Sequence, residues 1–518
     1  MHKKNHAAMR VIAVAAVIVI AACMLPFMAY ASPEAVPMWG PYLTGVSGTG
    51  ITVNWKTAGE SDGAVEYAAE DFFSANGAYS HTATDSAREL HHVTLTGLVP
   101  DTTYHYRVRI DDDHTADHTF RTLGDGPFTF IVYGDTREQI PYFTQLERHK
   151  LVADRIAGEE GISFIVHTGD FVCNADDFDE WQRFFDSTRQ MLDGIPLFPV
   201  AGNHENKSPE YDEIFGMPKV YSFDCANAHF SVLDTNSGSD LDSQAEWLVE
   251  GAAGAADWRF AFFHHPPYTS DAQHWGGNID LRNRWEPVLM ETGVNAVFNA
   301  HVHAYERYYE NGIHYMVVAT GGAPFYLLAD EKIPGYRNSL EYTLGYTRIT
   351  VDGTEAFMDV IEVAGVDKET NTLGDMYPPD TVFERVDLRP EPVSDNTSGE
   401  PEPPDGDTPS IAISLDAELI DYGDIFPGES SGIEPVTISN NGTKDVTVTL
   451  EIQGDGMAGA FYEQSLYIDD DNYNPERVIC SVAAGESATV STRLGVPSSW
   501  SEPGRMEVTF VFWAEASP

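Results

Sequence analysis

Residues 128–137 read FTFIVYGDTR, and residues 162–173 read ISFIVHTGDFVC. Each segment is a short apolar run typical of a buried strand, and in each the run is followed by Gly-Asp, which favours a turn. Helical patterning separates such segments, and one helix is marked by Phe178, Trp181 and Phe185, an apolar stripe predicted to face the core. Strands that alternate with helices predict an α/β architecture in which helices cover the sheets.

Three later segments repeat the pattern of an apolar run followed by polar residues. They are LFPVAGNHE at 197–205, FAFFHHPPY at 260–268 and AVFNAHVHAYER at 296–307. The carboxyl ends of strands in α/β sheets border the crevice where ligands bind, so the polar residues of all the segments are expected to meet there. Two aspartates, an asparagine and three histidines form a mixed oxygen and nitrogen set that suits zinc, iron or manganese. Each motif alone is weak, but their shared context predicts a metal site.

The order GD, GD, GNHE, HHPPY and HVH resembles that of the calcineurin-like metallophosphoesterases. HVHAYER at 301–307, together with the strand-rich segment before residue 128, is similar to the purple acid phosphatases in particular. The resemblance covers about residues 37–365 and implies a four-layer sandwich, in which two mixed sheets pack together between helices. It also implies a pair of metal ions (iron, zinc or manganese) and hydrolysis of phosphate esters by a metal-activated hydroxide.

Carried over by position, the resemblance assigns a ligand set to each metal. The ligands of the first metal would be Asp135, Asp170 and His303. The ligands of the second metal would be the bridging Asp170, Asn203, His264 and His301. His264 is preferred to His265 because the family's ligand directly follows the strand, two residues before the proline. His265 would then line the substrate pocket.

The catalytic residues that the resemblance implies are Asp170, Arg137 and His204. His204 would protonate the departing oxygen, and Glu205 would orient the His204 ring. Arg137 would contact the phosphate as a bidentate donor. His274 stands where related enzymes place a second substrate-facing histidine, although a surface histidine fits its polar loop equally well.

Two positions depart from the family pattern. Cys173 stands where purple acid phosphatases place the tyrosine that colours the metal centre, so no purple colour is expected. Arg137 stands where many other members place a histidine, so the first metal lacks the usual fourth protein ligand. Cys173 is either a thiolate ligand or a buried inert thiol, and the second alternative is favoured because cysteine is among the most buried residue types.

The flanking segments are predicted to be rich in strands. Residues 37–123 are expected to form a fibronectin-type β-sandwich, because residues 51–55 and 104–110 alternate apolar with polar positions. Within it, LVPDTTY at 98–104 resembles a corner in which the tyrosine hydroxyl bonds to the backbone. The metallophosphoesterase domain is expected at 126–365.

The rest of the chain is predicted to be a linker and a second sandwich. Residues 389–409 (RPEPVSDNTSGEPEPPDGDTP) are acidic and rich in proline, with almost nothing to bury. Residues 410–518 are expected to form an Ig-like β-sandwich, because Val446, Val448, Leu450 and Ile452 alternate with polar residues. The same holds for Val508, Phe510 and Phe512.

Residues 1–31 carry the pattern of an export segment. Basic residues come first, residues 11–31 are uncharged and mostly apolar, and Ala29-Tyr30-Ala31 matches a signal-peptidase site. The segment is either a cleaved signal peptide or an uncleaved membrane anchor. A lipoprotein box at Cys23 is disfavoured by the apolar residues 24–27 behind it. The product is therefore expected to be secreted or attached to the outer face of the cell membrane.

Composition narrows the partners. The 518 residues include 81 acidic and 30 basic side chains, for a formal net charge of −51. Such a charge repels nucleic acid, and the resemblance implies a small phosphate ester as the substrate. A phosphodiesterase or a nucleotidase would use the same metal site, and a surface binding protein with a degenerate metal site is the alternative outside the enzymes.

Overall fold

The computed structural model describes residues 35–391, apart from positions 207, 253 and 255, and separate stretches between residues 413 and 516. The predicted export segment and the predicted linker, apart from residues 389–391, lie outside the described residues. The chain divides into two compact units, residues 1–392 and 393–518. None of the helices in the described ranges is long and apolar enough to span a bilayer.

The first part of the larger unit is antiparallel. Its elements are β1 (Trp39–Thr44), β2 (Gly50–Ala69), α1 (Glu70–Asn76), β3 (His81–Thr96), β4 (Thr103–Ile110), β5 (Asp113–His114) and β6 (His118–Arg121). Alternate residues of the long strands face inward, and Trp55 and Tyr106 are completely buried. The hydroxyl of Tyr104 accepts a hydrogen bond from the Val99 N–H at 3.0 Å, which is the corner contact that the sequence predicts.

The central part alternates strands and helices before it ends in strands. Its helices are α2 (His149–Ala157), α3 (Phe178–Leu192), α4 (Glu210–Phe215), α5 (Leu241–Gly251) and α6 (Ile279–Glu291). Its strands are β7 (Phe128–Tyr133), β8 (Ile162–His167), β9 (Leu197–Pro199), β10 (Tyr221–Cys225), β11 (Ala228–Val232), β12 (Trp258–Phe262), β13 (Ala296–Asn299), β14 (Tyr305–Glu310), β15 (Ile313–Val318), β16 (Tyr336–Leu340), β17 (Thr343–Asp352), β18 (Glu355–Val366), β19 (Leu373–Met376) and β20 (Val382–Asp387).

These strands form two mixed sheets. The first runs β19-β18-β17-β7-β8-β9-β1-β2-β4-β5, with β7, β8 and β9 parallel. The parallel pairing of β1 with β9, where Thr44 faces Leu197, joins the N-terminal strands to this sheet. The second sheet runs β10-β11-β12-β13-β15-β14-β16 and is parallel from β11 to β15.

The two sheets pack face to face through apolar side chains. On β7, Phe130 and Val132 point into the layer between the sheets, where Phe130 meets Phe230 edge to face at 5.3 Å. Ile131 and Tyr133 point the other way, toward α2 and α3. Helices α5 and α6 cover the second sheet in the same manner. The predicted arrangement of helix, sheet, sheet and helix is therefore confirmed, and strands buried on both faces account for the continuous apolar runs.

Helix α3 shows one departure from the predicted stripe. Trp181 and Phe185 are buried as expected, but Phe178 is 44% exposed. Phe178 is the first residue of α3, next to the N-cap Asp177, and its ring stacks on Trp39 at 5.2 Å. A position in the first turn lies beyond the edge of the core, so periodicity alone overestimates its burial.

His149 is buried behind the first sheet, and its burial predicts that the protein loses stability as the pH falls. Its ring lies between the Ser187 hydroxyl (3.0 Å) and the Tyr133 hydroxyl (3.2 Å), and burial lowers its pKa from 6.5 to about 3. Below pH 6.5 the His149 ring therefore becomes protonated in the unfolded chain but stays neutral in the folded chain. Because the unfolded state binds the extra proton, the free energy of unfolding falls by up to about 1.4 kcal/mol per pH unit down to about pH 3. His149→Gln should flatten the dependence of melting temperature on pH between 6.5 and 4, whereas His81→Gln, at an exposed site, should not. An unchanged slope in His149→Gln would contradict this account.

The described residues of the smaller unit lie mostly in strands. They are β21 (Ile413–Leu415), β22 (Glu434–Asn440), β23 (Val446–Gln453), β24 (Leu466–Ile468), β25 (Asp471–Asn472), β26 (Val478–Val482), β27 (Ser487–Leu494) and β28 (Thr509–Ala516). They form two antiparallel sheets, β21-β22-β27-β24-β25 and β26-β23-β28. The predicted alternation of residues 446–452 falls on β23, where Val446, Val448 and Leu450 are buried. Val508 lies outside the described residues.

Candidate metal centre

The polar residues predicted to form the site leave the strands in unusual backbone conformations. Asp135 follows β7 and Asp170 follows β8, each with φ of 54°, and His301 has φ of 69°. Non-glycine residues rarely adopt this left-handed region, and at functional sites the surrounding structure enforces it. The two aspartate turns hold each other, because the Asp135 N–H donates to Gly169 and the Thr136 N–H donates to Asp170. Both carboxylates are thereby directed to the same end of the sheet.

The first group of candidate ligands is Asp135, Asp170 and His303. All three are buried, and their ligand atoms lie within 4.8 Å of one another. The Oδ1 atom of Asp135 has no hydrogen-bond partner and lies 3.1 Å from the Nε2 atom of His303. The Nδ1 atom of His303 faces the carbonyl of Pro324, so it must carry the ring proton and leave Nε2 as an acceptor. Two acceptors that face each other in a buried site fit a cation between them.

The second group is Asp170, His264 and His301, and the Asn203 amide joins it. The ligand atoms of the three lie within 4.8 Å of one another. The Oδ1 atom of Asn203 lies 3.0 Å from His264 Nε2 and 2.8 Å from His301 Nδ1. His264 Nδ1 donates to the carbonyl of Thr168 at 2.9 Å, so Nε2 is the ring nitrogen that faces the oxygen atoms, where a cation would take the place of a proton. The residues present therefore fit a second cation, with Asp170 common to both groups.

The electrostatics of the two groups agree with this interpretation. Burial alone would lower the pKa of His264, but the negative charge of the Asp170 carboxylate outweighs burial and raises this pKa to about 9. Burial likewise opposes ionisation of Asp170, yet the surrounding histidines, His264 first, hold its pKa well below the usual range. A carboxylate that stays ionised at full burial is held by positive charge around it, which a metal ion would also supply.

His204 lies beside the two groups with its ring directed into the site. Its Nδ1 atom is 2.6 Å from the carbonyl of Cys173, which leaves Nε2 3.7 Å from Asp170 Oδ2. Burial alone would lower the pKa of His204, but the hydrogen bond to Cys173 and the charge of Asp170 outweigh burial and raise the pKa to about 9. Both contacts favour the protonated form of the ring, which is the form that can act as an acid.

The expected role of Glu205 is wrong. Its carboxylate does not orient the His204 ring, because it accepts hydrogen bonds from the N–H groups of Gly202 and Asp170 at 3.0 Å each. Glu205 thus fixes the backbone that carries Asp170. Gly202 is required at this contact, since a methyl group there would lie 2.2 Å from the Asp170 backbone nitrogen.

Two predicted substrate-facing histidines flank the second group. The His265 ring lies 4.6 Å from that of His301, and its Nδ1 atom is 2.9 Å from the Thr235 hydroxyl. The His274 ring lies 5.0 Å from His301 and is anchored by Asp271 Oδ2 at 2.6 Å. The structure therefore places both histidines against a candidate metal ligand.

Arg137 and Cys173 lie near the first group, and Tyr326 lies with them. The Tyr326 ring is 4.2 Å from the His303 ring, and the Arg137 guanidinium is close enough to Tyr326 to interact with it electrostatically. Cys173 belongs to neither of the candidate ligand groups found among the described residues. Sequence reasoning missed Tyr326 because its segment, TGGAPFY at 320–326, has no strand-end aspartate or histidine.

Two family models match the larger unit, one over its N-terminal strands and one over its central part. The model of the calcineurin-like phosphoesterases matches residues 128–305, and that of the purple acid phosphatase N-terminal domain matches residues 41–122. Purple acid phosphatase 15 of Arabidopsis thaliana is 28% identical over 42% of this chain and 49% of its own length. Purple acid phosphatase 1 of Ipomoea batatas is 26% identical over 56% of this chain and 67% of its own. This chain therefore matches only about half of the first of these relatives.

Solved structures agree on the fold. The purple acid phosphatase PPD1 from yellow lupin seeds superposes with a TM-score of 0.54 and 16% identity, over 66% of this chain and 74% of that one. Residues 128–305 thus form a calcineurin-like phosphoesterase domain, and residues 41–122 in front of it match the N-terminal domain of purple acid phosphatases.

Proposed function

We propose that this protein is an exported dinuclear-metal phosphoesterase that hydrolyses phosphate monoesters. The observation that carries the proposal is the pair of candidate ligand groups that share the buried Asp170, with His204 Nε2 only 3.7 Å from that carboxylate. A shared carboxylate between two cation sites, with a protonated imidazole beside it, supports acid-assisted cleavage of a phosphate ester. Export is proposed from the pattern of residues 1–31.

Each metal would be held by side chains already in place. Asp135, Asp170 and His303 would hold the first, and Asp170, Asn203, His264 and His301 would hold the second. Iron, zinc and manganese suit this mixture of oxygen and nitrogen atoms. When bound, such a pair supplies positive charge at the phosphoryl oxygens and lowers the pKa of water toward neutrality.

The remaining steps belong to side chains around the pair. His204 would donate its Nε2 proton to the departing oxygen, and the Cys173 carbonyl would keep the ring in the required orientation. Arg137, near Tyr326, would pair with a phosphoryl oxygen. His265 and His274 would contact the substrate on the side of His301.

The proposal is tested by measuring metal content and hydrolysis on the full chain. We expect about two metal ions per chain and release of phosphate from 4-nitrophenyl phosphate. We also expect a kcat/KM at least about tenfold lower for bis(4-nitrophenyl) phosphate, because a diester cannot place as much negative charge against the cations. A preference for the diester would favour a phosphodiesterase. Inertness of the metal-loaded protein toward both esters would favour a binding protein.

A further inference from the structure

The mouth of the site is bordered by apolar side chains from two loops that are fastened together. Loop 268–277 follows β12, and loop 319–329 follows β15. The Ala272 N–H donates to the Leu327 carbonyl at 3.0 Å, and the Ala329 N–H donates to the Ser270 carbonyl at 2.8 Å. These bonds form a short antiparallel bridge, so the two loops present one continuous edge.

Aromatic rings on this edge lead outward from the candidate ligands. His274 and Tyr326 stack at 5.8 Å with planes only 18° apart, and each also contacts a ligand histidine. The next residue on each loop is large, apolar and exposed to solvent, Trp275 at 45% and Leu327 at 50%. We call His274, Trp275, Tyr326 and Leu327 the rim patch. Exposed apolar side chains that adjoin a polar site mark a surface where a ligand is bound.

The positive charge available to a substrate is small. In the segments 134–147, 168–177, 201–206, 264–278, 300–304 and 319–329, which carry or adjoin the candidate ligands, Arg137 is the only lysine or arginine. The chain as a whole carries 81 acidic against 30 basic residues. A substrate with several phosphates would meet few basic side chains from these segments, on a chain whose net charge is strongly negative.

We propose that the rim patch binds the leaving group, and that the substrate is a monophosphate ester of a flat, apolar alcohol such as an aryl alcohol. This inference rests on the proposed phosphoesterase function and adds its substrate class. The stacked rings of His274 and Tyr326 offer a planar wall, and Trp275 and Leu327 are their exposed neighbours in the chain. An aromatic leaving group would cover apolar surface there that is now exposed to water.

The test compares phenyl phosphate with 2-naphthyl phosphate, whose phenols have similar acidity but whose rings differ in size. In the full chain we expect kcat/KM to be about three- to tenfold higher for the naphthyl ester, through a lower KM. Trp275→Ala and Leu327→Ser should each bring the ratio toward one. The matched control is Leu373→Ser, which removes a leucine that is 41% exposed on β19 and should keep the ratio. A nucleoside triphosphate should react at least about tenfold less efficiently than the naphthyl ester.

The outcomes separate the two proposals. If the protein releases phosphate from both aryl esters at equal efficiency, or if neither rim variant changes the ratio, the rim patch does not bind the leaving group. Preference for the triphosphate would also overturn the inference. If no ester is hydrolysed at all, the proposed function itself fails.

Discussion

Asp170→Asn is expected to lower kcat for phosphomonoester hydrolysis by at least about a thousandfold and to reduce the bound metal to below one ion per chain. The residue is fully buried and supplies oxygen atoms to both ligand groups, so this one change disturbs both cation sites. Asparagine has the same shape but no charge, and its amide hydrogens would point at acceptors such as His264 Nε2, which lies 3.4 Å from Asp170 Oδ1. Metal analysis and steady-state kinetics on the same preparation would measure both effects.

The matched control is Asp176→Asn. Asp176 is exposed and lies in the loop that follows Asp170, so the same chemical change there should leave metal content and kcat within about twofold of the original protein. Melting curves would show whether both variants remain folded. An Asp170→Asn protein that kept both metals and its activity would overturn the assignment of the shared ligand.

His204→Gln is expected to lower kcat by about a hundred- to a thousandfold for an alkyl phosphate while leaving the metal content unchanged. The ring is 26% exposed, its Nε2 atom is 3.7 Å from Asp170 Oδ2, and the hydrogen bond to Cys173 and the Asp170 charge outweigh burial and raise its pKa. An alkoxide leaves only with a proton, whereas 4-nitrophenolate leaves without one. The loss should therefore be at least about tenfold smaller for 4-nitrophenyl phosphate, and this difference identifies an acid rather than a packing residue.

His229→Gln serves as the control for a histidine that is paired with a carboxylate elsewhere. His229 lies on β11 with Nδ1 2.7 Å from Asp224, and its replacement should change neither ester's kcat by more than about twofold. Equal losses for the alkyl and nitrophenyl esters in His204→Gln would contradict proton donation. They would indicate that the ring only packs against the site.

Much of the central fold could be predicted because its strands are buried on both faces. Such strands appear as uninterrupted apolar runs, and the predicted run at 128–133 coincides with β7. The order in which the strands pair within each sheet could not be predicted in this way. The pairing of Thr44 with Leu197 joins segments far apart in the chain, and the sequence of neither segment indicates which strand it pairs with.

In the candidate site, too, the sequence predicted the residue types, but it did not predict all of their contacts. The aspartates and histidines that end the strands are recognisable by type and position, and the structure brings Asp135, Asp170 and His303 within ligand distance of one another. The orientation of the His204 ring was wrongly expected to depend on Glu205, since it depends on a backbone carbonyl. Every residue has such a carbonyl, so sequence patterns cannot reveal which one will accept the bond.

The sequence by itself therefore determined the α/β framework and the residue types that reach the carboxyl ends of its strands, because burial periodicity and side-chain chemistry are local properties. The tertiary structure alone decided which atoms meet. It turned the Nε2 atoms of His264 and His303 inward through backbone carbonyls and set Tyr326 near Arg137. These contacts join loops distant in the chain, and their energies exist only when the whole sheet arrangement is formed.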